Sequence, residues 1–293
     1  METKDKITGY AAGIAAGVTY GMNPLFGKPL LEGGMQVSSM LFFRYLFSMA
    51  IVAVWILCTG GSLKVTWREF KSLLILGVMY CGSSITLFES YNYIPSGLAT
   101  TIVYLYPVFV ALIMVFLKQY PTLRVWISIA VTLVGVILLC MPSGHVELSF
   151  AGIALAALSA FSYSIYVVLV NNDSSVSEVS PRVLTFWSLA VGVVAFLCIT
   201  TAGGDSLVDG IHGWRSWADL AGLALFPTTI AVLTIAISTR LIGPTKTAVL
   251  GVFEPLTAIL IGIAAFAEPL TPVMVAGIIL CLSAILFMVT ERR

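Results

Sequence analysis

The sequence predicts an all-α integral membrane protein: ten transmembrane helices in two inverted five-helix repeats, with N- and C-termini cytoplasmic. Three observations carry this expectation. The 293 residues are 59% hydrophobic and 10% charged, whereas a soluble domain carries about 25% charge. Apolar runs of membrane-spanning length follow one another with short polar breaks. The basic residues fall almost wholly in alternate breaks.

The runs lie at about 8–30, 36–59, 70–91, 95–117, 121–141, 149–172, 181–202, 217–238, 244–267 and 269–290. Each is near the roughly 20 residues that cross a hydrocarbon core about 30 Å thick. The charged start, METKDKITGY, leads into a run of full spanning length, so it reads as a first helix and not a cleaved leader. Runs four and five are separated by Gln119-Tyr120-Pro121. Longer breaks occur only at Gly60–Glu69, Asn171–Ser180 and Gly203–Arg215.

With a cytoplasmic N-terminus, the cytoplasmic segments carry Lys4, Lys6, Lys64, Arg68, Lys71, Lys118, Arg124, Arg182, Arg240, Lys246, Arg292 and Arg293. The other side carries Lys28 and Arg215, and Arg44 lies inside the second run. That asymmetry follows the positive-inside rule, and one helix more or fewer would scramble it. The sequon Asn172-Asp173-Ser174 then faces the cytoplasm and is silent. Net charge is +1, so there is no basic face for nucleic acid. Five scattered cysteines suggest neither a disulfide framework nor a zinc site.

The chain also repeats itself, with halves at 1–145 and 146–293. Gly9, Gly13, Gly17 and Gly21 form a ladder of small residues, echoed by Gly152, Ala156, Ala160 and Ser164. Such strips let a second helix approach closely in lipid. Ser96–Met141 aligns without a gap on Pro244–Val289, which sets Pro107 on Pro255 and Pro121 on Pro269. Five helices per half force the second half to enter from the opposite side. Inverted repeats build many secondary transporters, with the solute site between the halves. Pro107 and Pro255 read as a shared hinge. Glu254 has no such mirror, because its counterpart is Tyr106. A carboxylate in one half only is a candidate for function.

Several stretches resemble the drug/metabolite transporter superfamily, in particular its EamA-type ten-helix members. Tyr20-Gly21-Met22-Asn23 with Lys28 is similar to the pattern in that family's first helix, and Phe43-Arg44-Tyr45 to the signature of its second. Tyr106-Pro107-Val108-Phe109 and Glu254-Pro255-Leu256 resemble its helix 4 and helix 9 elements. Glu268-Pro269-Leu270-Thr271 resembles the turn before its last helix. The resemblance implies transport of small metabolites across the bacterial inner membrane, and a YddG-like amino-acid exporter is the preferred subgroup.

The expected substrate cavity comprises Tyr20, Asn23, Tyr80, Ser83, Ser84, Thr100, Thr101, Tyr104, Tyr163, Thr228, Thr229 and Glu254. Hydroxyls and aromatic faces suit a neutral or zwitterionic solute that must also leave. Glu254 can bind a proton or a substrate ammonium group, or it can cap backbone freed by Pro255. Ser and Thr in membrane helices often bond their own backbone instead. Arg44 and Glu89 are expected to form a structural ion pair. His145 and His212 fall in outer loops. No nucleophile–base pair, embedded histidine or phosphate loop suggests an enzyme or an ATP-driven pump. No metal or cofactor is expected, and one chain supplies both halves, so a monomer suffices. A proton-coupled antiporter of drug-like cations and a solute channel are the alternatives.

Overall fold

The computed structural model describes residues 3–90, 92–94, 99, 102–139, 149–204, 206–266 and 271–290. Helices make up the regular structure of these residues: α1 (Thr3–Tyr20), α2 (Asn23–Glu32), α3 (Val37–Cys58), α4 (Trp67–Ser90), α5 (Tyr106–Phe116), α6 (Leu123–Leu139), α7 (Phe150–Asn172), α8 (Ser174–Ser177), α9 (Pro181–Gly203), α10 (Gly213–Ala224), α11 (Ala231–Ile242), α12 (Pro244–Leu250), α13 (Phe253–Phe266) and α14 (Pro272–Val289). A π-helical turn, Leu225–Ile230, joins α10 to α11. Seven helical stretches among the described residues are long and apolar enough to cross a membrane, and Tyr106–Phe116 and Leu123–Leu138 are shorter apolar helices. Val54, Ile75, Phe116, Val194, Leu260 and Leu286 stand exposed on the outside, as side chains facing lipid do.

Local sequence explains the ends. Thr66 and Glu69 form a reciprocal capping box: the Thr66 amide donates to Glu69 Oε2 at 2.6 Å and the Glu69 amide to Thr66 Oγ1 at 3.3 Å. This starts α4 at Trp67, three residues before the predicted run. Ser149, Ser180 and Thr271 cap α7, α9 and α14 through their hydroxyls.

Three predicted spans are not continuous helices. The first breaks at Gly21–Met22, just before Asn23-Pro24, and the ninth breaks at Gly251–Val252, just before Glu254-Pro255. Proline has no amide to give and its ring crowds the preceding turn, so the ladder of bonds stops one residue early. The fourth shows the same device: Tyr104 and Leu105 form a turn ahead of Pro107. The paired prolines thus mark paired breaks.

Helix pairing follows the repeat. If helices of the two halves are equated in chain order, the α4–α7 contact becomes α11–α1, while α3–α9 and α6–α14 map onto themselves; all four contacts are present. The glycine ladder of α1 is the track for the second half. A Cβ on Gly9 would meet Ile242, on Gly13 Leu250 and Ser238, on Gly17 Phe253, and on Gly21 the Glu254 carbonyl and Thr257, all at 2.5–2.8 Å. The matching strip on α7 is buried at Gly152, Ala156, Ala160 and Ser164.

The basic segments meet at one end. Arg68 donates to Ser174, Arg182 to Thr59, and Arg240 to the Val176 and Val179 carbonyls. Gln119, Asn171 and Lys246 border one cavity there. At the other end, Ser39 donates to the Ser206 carbonyl, and Gly210 lies against Gly34 and Met35 with φ of 79°. Only glycine fits both that backbone and that contact. The expected junction of the halves at 145/146, the Glu268-Pro269-Leu270 turn and His145 lie outside the described residues.

Candidate functional site

The break in the ninth span builds the site. Its amides fall back on shorter-range partners: Gly251 to the Ala248 carbonyl, Val252 to Val249, and Glu254 to Gly251, at 2.9–3.3 Å. Two tyrosines of the fourth span close on the same carbonyls. Tyr106 donates to Ala248 at 2.7 Å and Tyr104 to Val249 at 3.2 Å. Both hydroxyls would be costly to bury unpaired, so each fixes the break as much as the break satisfies it. Gly251 is required, because a Cβ there would run into the Tyr106 hydroxyl.

Glu254 emerges from this break on the first turn of α13. It retains accessible surface, so it borders open space. Among the described residues its carboxylate accepts no hydrogen bond. Its charge interacts with Tyr80, Tyr104, Tyr106 and Tyr163, and Arg44 is the cation within electrostatic reach.

The tyrosines are one connected cluster. Tyr20 and Tyr80 hydroxyls meet at 3.0 Å. Ring centroids of Tyr106 and Tyr163 lie 5.0 Å apart, those of Tyr80 and Tyr166 5.1 Å, and those of Tyr45 and Tyr80 5.6 Å, all tilted or edge-on. Such packing holds the rings rigidly. α1, α3, α4 and the fourth span supply rings from the first half, α7 supplies Tyr163 and Tyr166, and α13 supplies the acid.

Arg44 is buried at 4% exposure, and its neighbours correct the expected pairing with Glu89. Nε donates to Thr228 Oγ1 at 2.6 Å and Nη2 to the Pro227 carbonyl at 3.0 Å. Glu89 instead accepts from Asn92 at 3.0 Å, on an exposed turn. The physical reason is the π turn. Pro227 disrupts the bonding ladder there, and Thr228 and Thr229 reach back to the Leu223 and Ala224 carbonyls at 2.8 and 2.9 Å. Arg44 therefore finds a polar patch inside the bundle. Its other Nη nitrogen donates to nothing among the described residues.

The structure brings Tyr20, Tyr80, Tyr104, Tyr163 and Glu254 together. Ser84 bonds Tyr45 at 2.7 Å and so supports the cluster from behind. Ser83 pairs with Ser159 in the α4–α7 contact. Thr228 and Thr229 serve the π turn, with Ser48 on Thr229 at 2.7 Å. Asn23 starts α2, and its Oδ1 is buried without a partner among the described residues. Thr100 and Thr101 lie outside the described residues. Sequence reasoning missed Tyr45, Tyr106 and Tyr166. A signal existed for two of them: Tyr163 and Tyr166 share a helix face at i, i+3, and Tyr106 is the mirror of Glu254. Among the described residues no three His, Cys, Asp or Glu side chains gather as a metal site.

A sequence model for the EamA-like transporter family matches twice, over residues 7–141 and 150–290. The chain belongs to the EamA-like transporter family. The double match covers both repeats of this EamA-like protein. An uncharacterized transporter of Archaeoglobus fulgidus is 26% identical over 278 residues, 95% of each chain. One from Synechocystis is 27% identical over 78% of this chain and 72% of its own. The uncharacterized transporter YdfC of Bacillus subtilis is 25% identical over 66% of this chain and 63% of its own. A protein known by crystal structure shares the fold, with a TM-score of 0.83 at 18% identity, over 95% of this chain and 97% of that one. This is a multi-pass membrane protein of a transporter family.

Proposed function

We propose that this EamA-like protein is a secondary transporter of small zwitterionic metabolites, amino acids foremost, working by alternating access. Its ten spans form two inverted five-helix repeats, with both termini cytoplasmic, in a bacterial inner membrane. The carboxylate of Glu254, without a hydrogen bond among the described residues and set among tyrosines from both halves with Arg44 in electrostatic reach, carries this reading. A substrate ammonium group would pair with Glu254 and lie against ring edges and faces that attract cations. A substrate carboxylate would take the remaining donor of Arg44. Opposite charges at two fixed points suit a zwitterion better than a plain cation, which Arg44 would repel. The site lies between the repeats, where such transporters bind their solutes. Net outward movement follows the amino-acid exporters that the sequence resembles.

The test is counterflow into liposomes holding unlabelled solute, with tracer amino acid outside, at equal pH and then across a proton gradient. Tracer accumulation is expected at equal pH, which no channel produces. The decarboxylated amine of the same solute should fail to compete. Competition by the amine as strong as by the amino acid would favour the second reading, an antiporter of drug-like cations, which the tyrosine cage supports. Under that reading Glu254→Gln should abolish the response to a proton gradient.

A further inference from the structure

Among the described residues seven buried side-chain polar atoms have no hydrogen-bond partner, and five of them belong to three helices at the basic end. These are Tyr166 Oη on α7, Thr185 Oγ1 and Ser188 Oγ on α9, and Thr239 Oγ1 and Arg240 Nε on α11. α11 packs against both α7 and α9. By helical rise all five sit within about 11 Å of the basic ends of their helices, and Tyr166 and Arg240 lie within electrostatic reach of each other. Buried polar groups left unpaired are unfavourable, and native proteins settle them with a water or an ion.

Every one of the five can donate. Arg240 gives its two Nη nitrogens to the Val179 and Val176 carbonyls at 2.6 and 2.9 Å, which leaves Nε over. Tyr166 and Arg240 interact electrostatically without a hydrogen bond between them. A link between them therefore needs a bridging acceptor. Tyr166 also touches the central cluster, 5.1 Å from Tyr80 and 6.1 Å from Tyr163 by ring centroids. The ends of the same two helices, at Asn171 on α7 and Ile242 on α11, border a cavity of about 270 Å³. The seam thus runs along α7 and α11 from the ring cluster toward that end.

We propose that this seam is a second station for an anionic oxygen, and that it takes the solute's carboxylate between the cage and the basic end. The carboxylate part rests on the zwitterion reading above; the anion site does not. Arg240 Nε supplies one charge-assisted bond and the hydroxyls supply neutral ones, which is a grip firm enough to guide and weak enough to release.

Two measurements test it on the purified full chain. The first is heat denaturation in detergent with and without acetate, for the parent and Tyr166→Phe. The phenyl ring keeps its packing and loses only the hydroxyl. Acetate is expected to protect the parent and to lose that effect in the variant. The second uses vesicles of known orientation. Thr239→Val, outside the ring cluster, is expected to raise KM about tenfold for zwitterion offered at the basic end, the size expected for one bond to a charged group. From the other side KM should stay within about twofold. Equal acetate protection in both proteins, or equal KM changes from both sides, would overturn the station. Thr239→Val also takes the place of Tyr166→Phe in the acetate measurement, with the same expectation, should Tyr166→Phe not fold. If the parent carries no zwitterion yet acetate protects it through Tyr166, the station stands and the substrate reading falls. If zwitterions are carried with no role for Tyr166 or Thr239, the substrate reading stands and the station falls.

Discussion

Tyr106 and Gly251 make a lock in which each explains the other. The hydroxyl is a second donor to the Ala248 carbonyl, which already accepts the Gly251 amide across the break, and the glycine leaves room for it. Tyr106→Phe should cost about 1 kcal/mol of stability, the usual worth of one buried hydrogen bond. Gly251→Ala should cost more, because a methyl meets the hydroxyl. The double variant should recover part of that loss, and thermal denaturation of the four proteins in detergent checks this as a coupling between neighbours. Arg44 invites a second comparison. Arg44→Gln should destabilise by about 1.5–3 kcal/mol by depriving Thr228 and Pro227 of a charged donor, while Glu89→Gln should change little. Equal losses from both would restore the Arg44–Glu89 pair that the structure replaces.

At the scale of the element, the ladder of α1 decides how closely the halves approach. Gly13 and Gly17 face the ninth span at distances that admit no side chain, whereas Gly82 on α4 has nothing within 4 Å. Gly17→Leu should abolish transport at equal expression and Gly82→Ala should leave it intact, with counterflow as the readout. Parent-level transport by Gly17→Leu would remove the ladder from the mechanism. The breaks before Pro107 and Pro255 face each other through Tyr104 and Tyr106, which is where a hinge between halves would have to bend. Periodicity could find the helices but not the breaks at Gly21 and Gly251. Both lie inside apolar runs whose hydropathy does not change; Pro24 and Pro255 are the signal that a break is near, and the backbone bonds fix where each ladder stops.

Across the whole molecule, the loops rich in Lys and Arg come together at one end. The cytoplasmic assignment of that end is open to direct labelling. Single cysteines replacing Lys118 and Lys246 in a cysteine-free chain should react with an impermeant maleimide only from the cytoplasmic side, and a cysteine at Arg215 only from the other. Any other pattern would reject the ten-span arrangement. In detergent the protein should run as a monomer, since one chain already holds both repeats. Light scattering of the purified protein reads this directly.

Composition, run length and charge asymmetry determined the membrane class, the helical architecture and the two halves, because lipid imposes those on sequence residue by residue. The pairing of Pro107 with Pro255 and the singularity of Glu254 were equally legible, since a repeat can be compared with itself. Only the tertiary structure decided which polar residues share a site. Tyr45, Tyr106 and Tyr166 look like ordinary core aromatics along the chain, and they join Glu254 only because six helices converge. Ser83, Thr228 and Thr229 look equally suited to a cavity, yet nearer carbonyls and hydroxyls claim them. Sequence sets what each side chain can bond; distance in the folded bundle sets which of those bonds it makes.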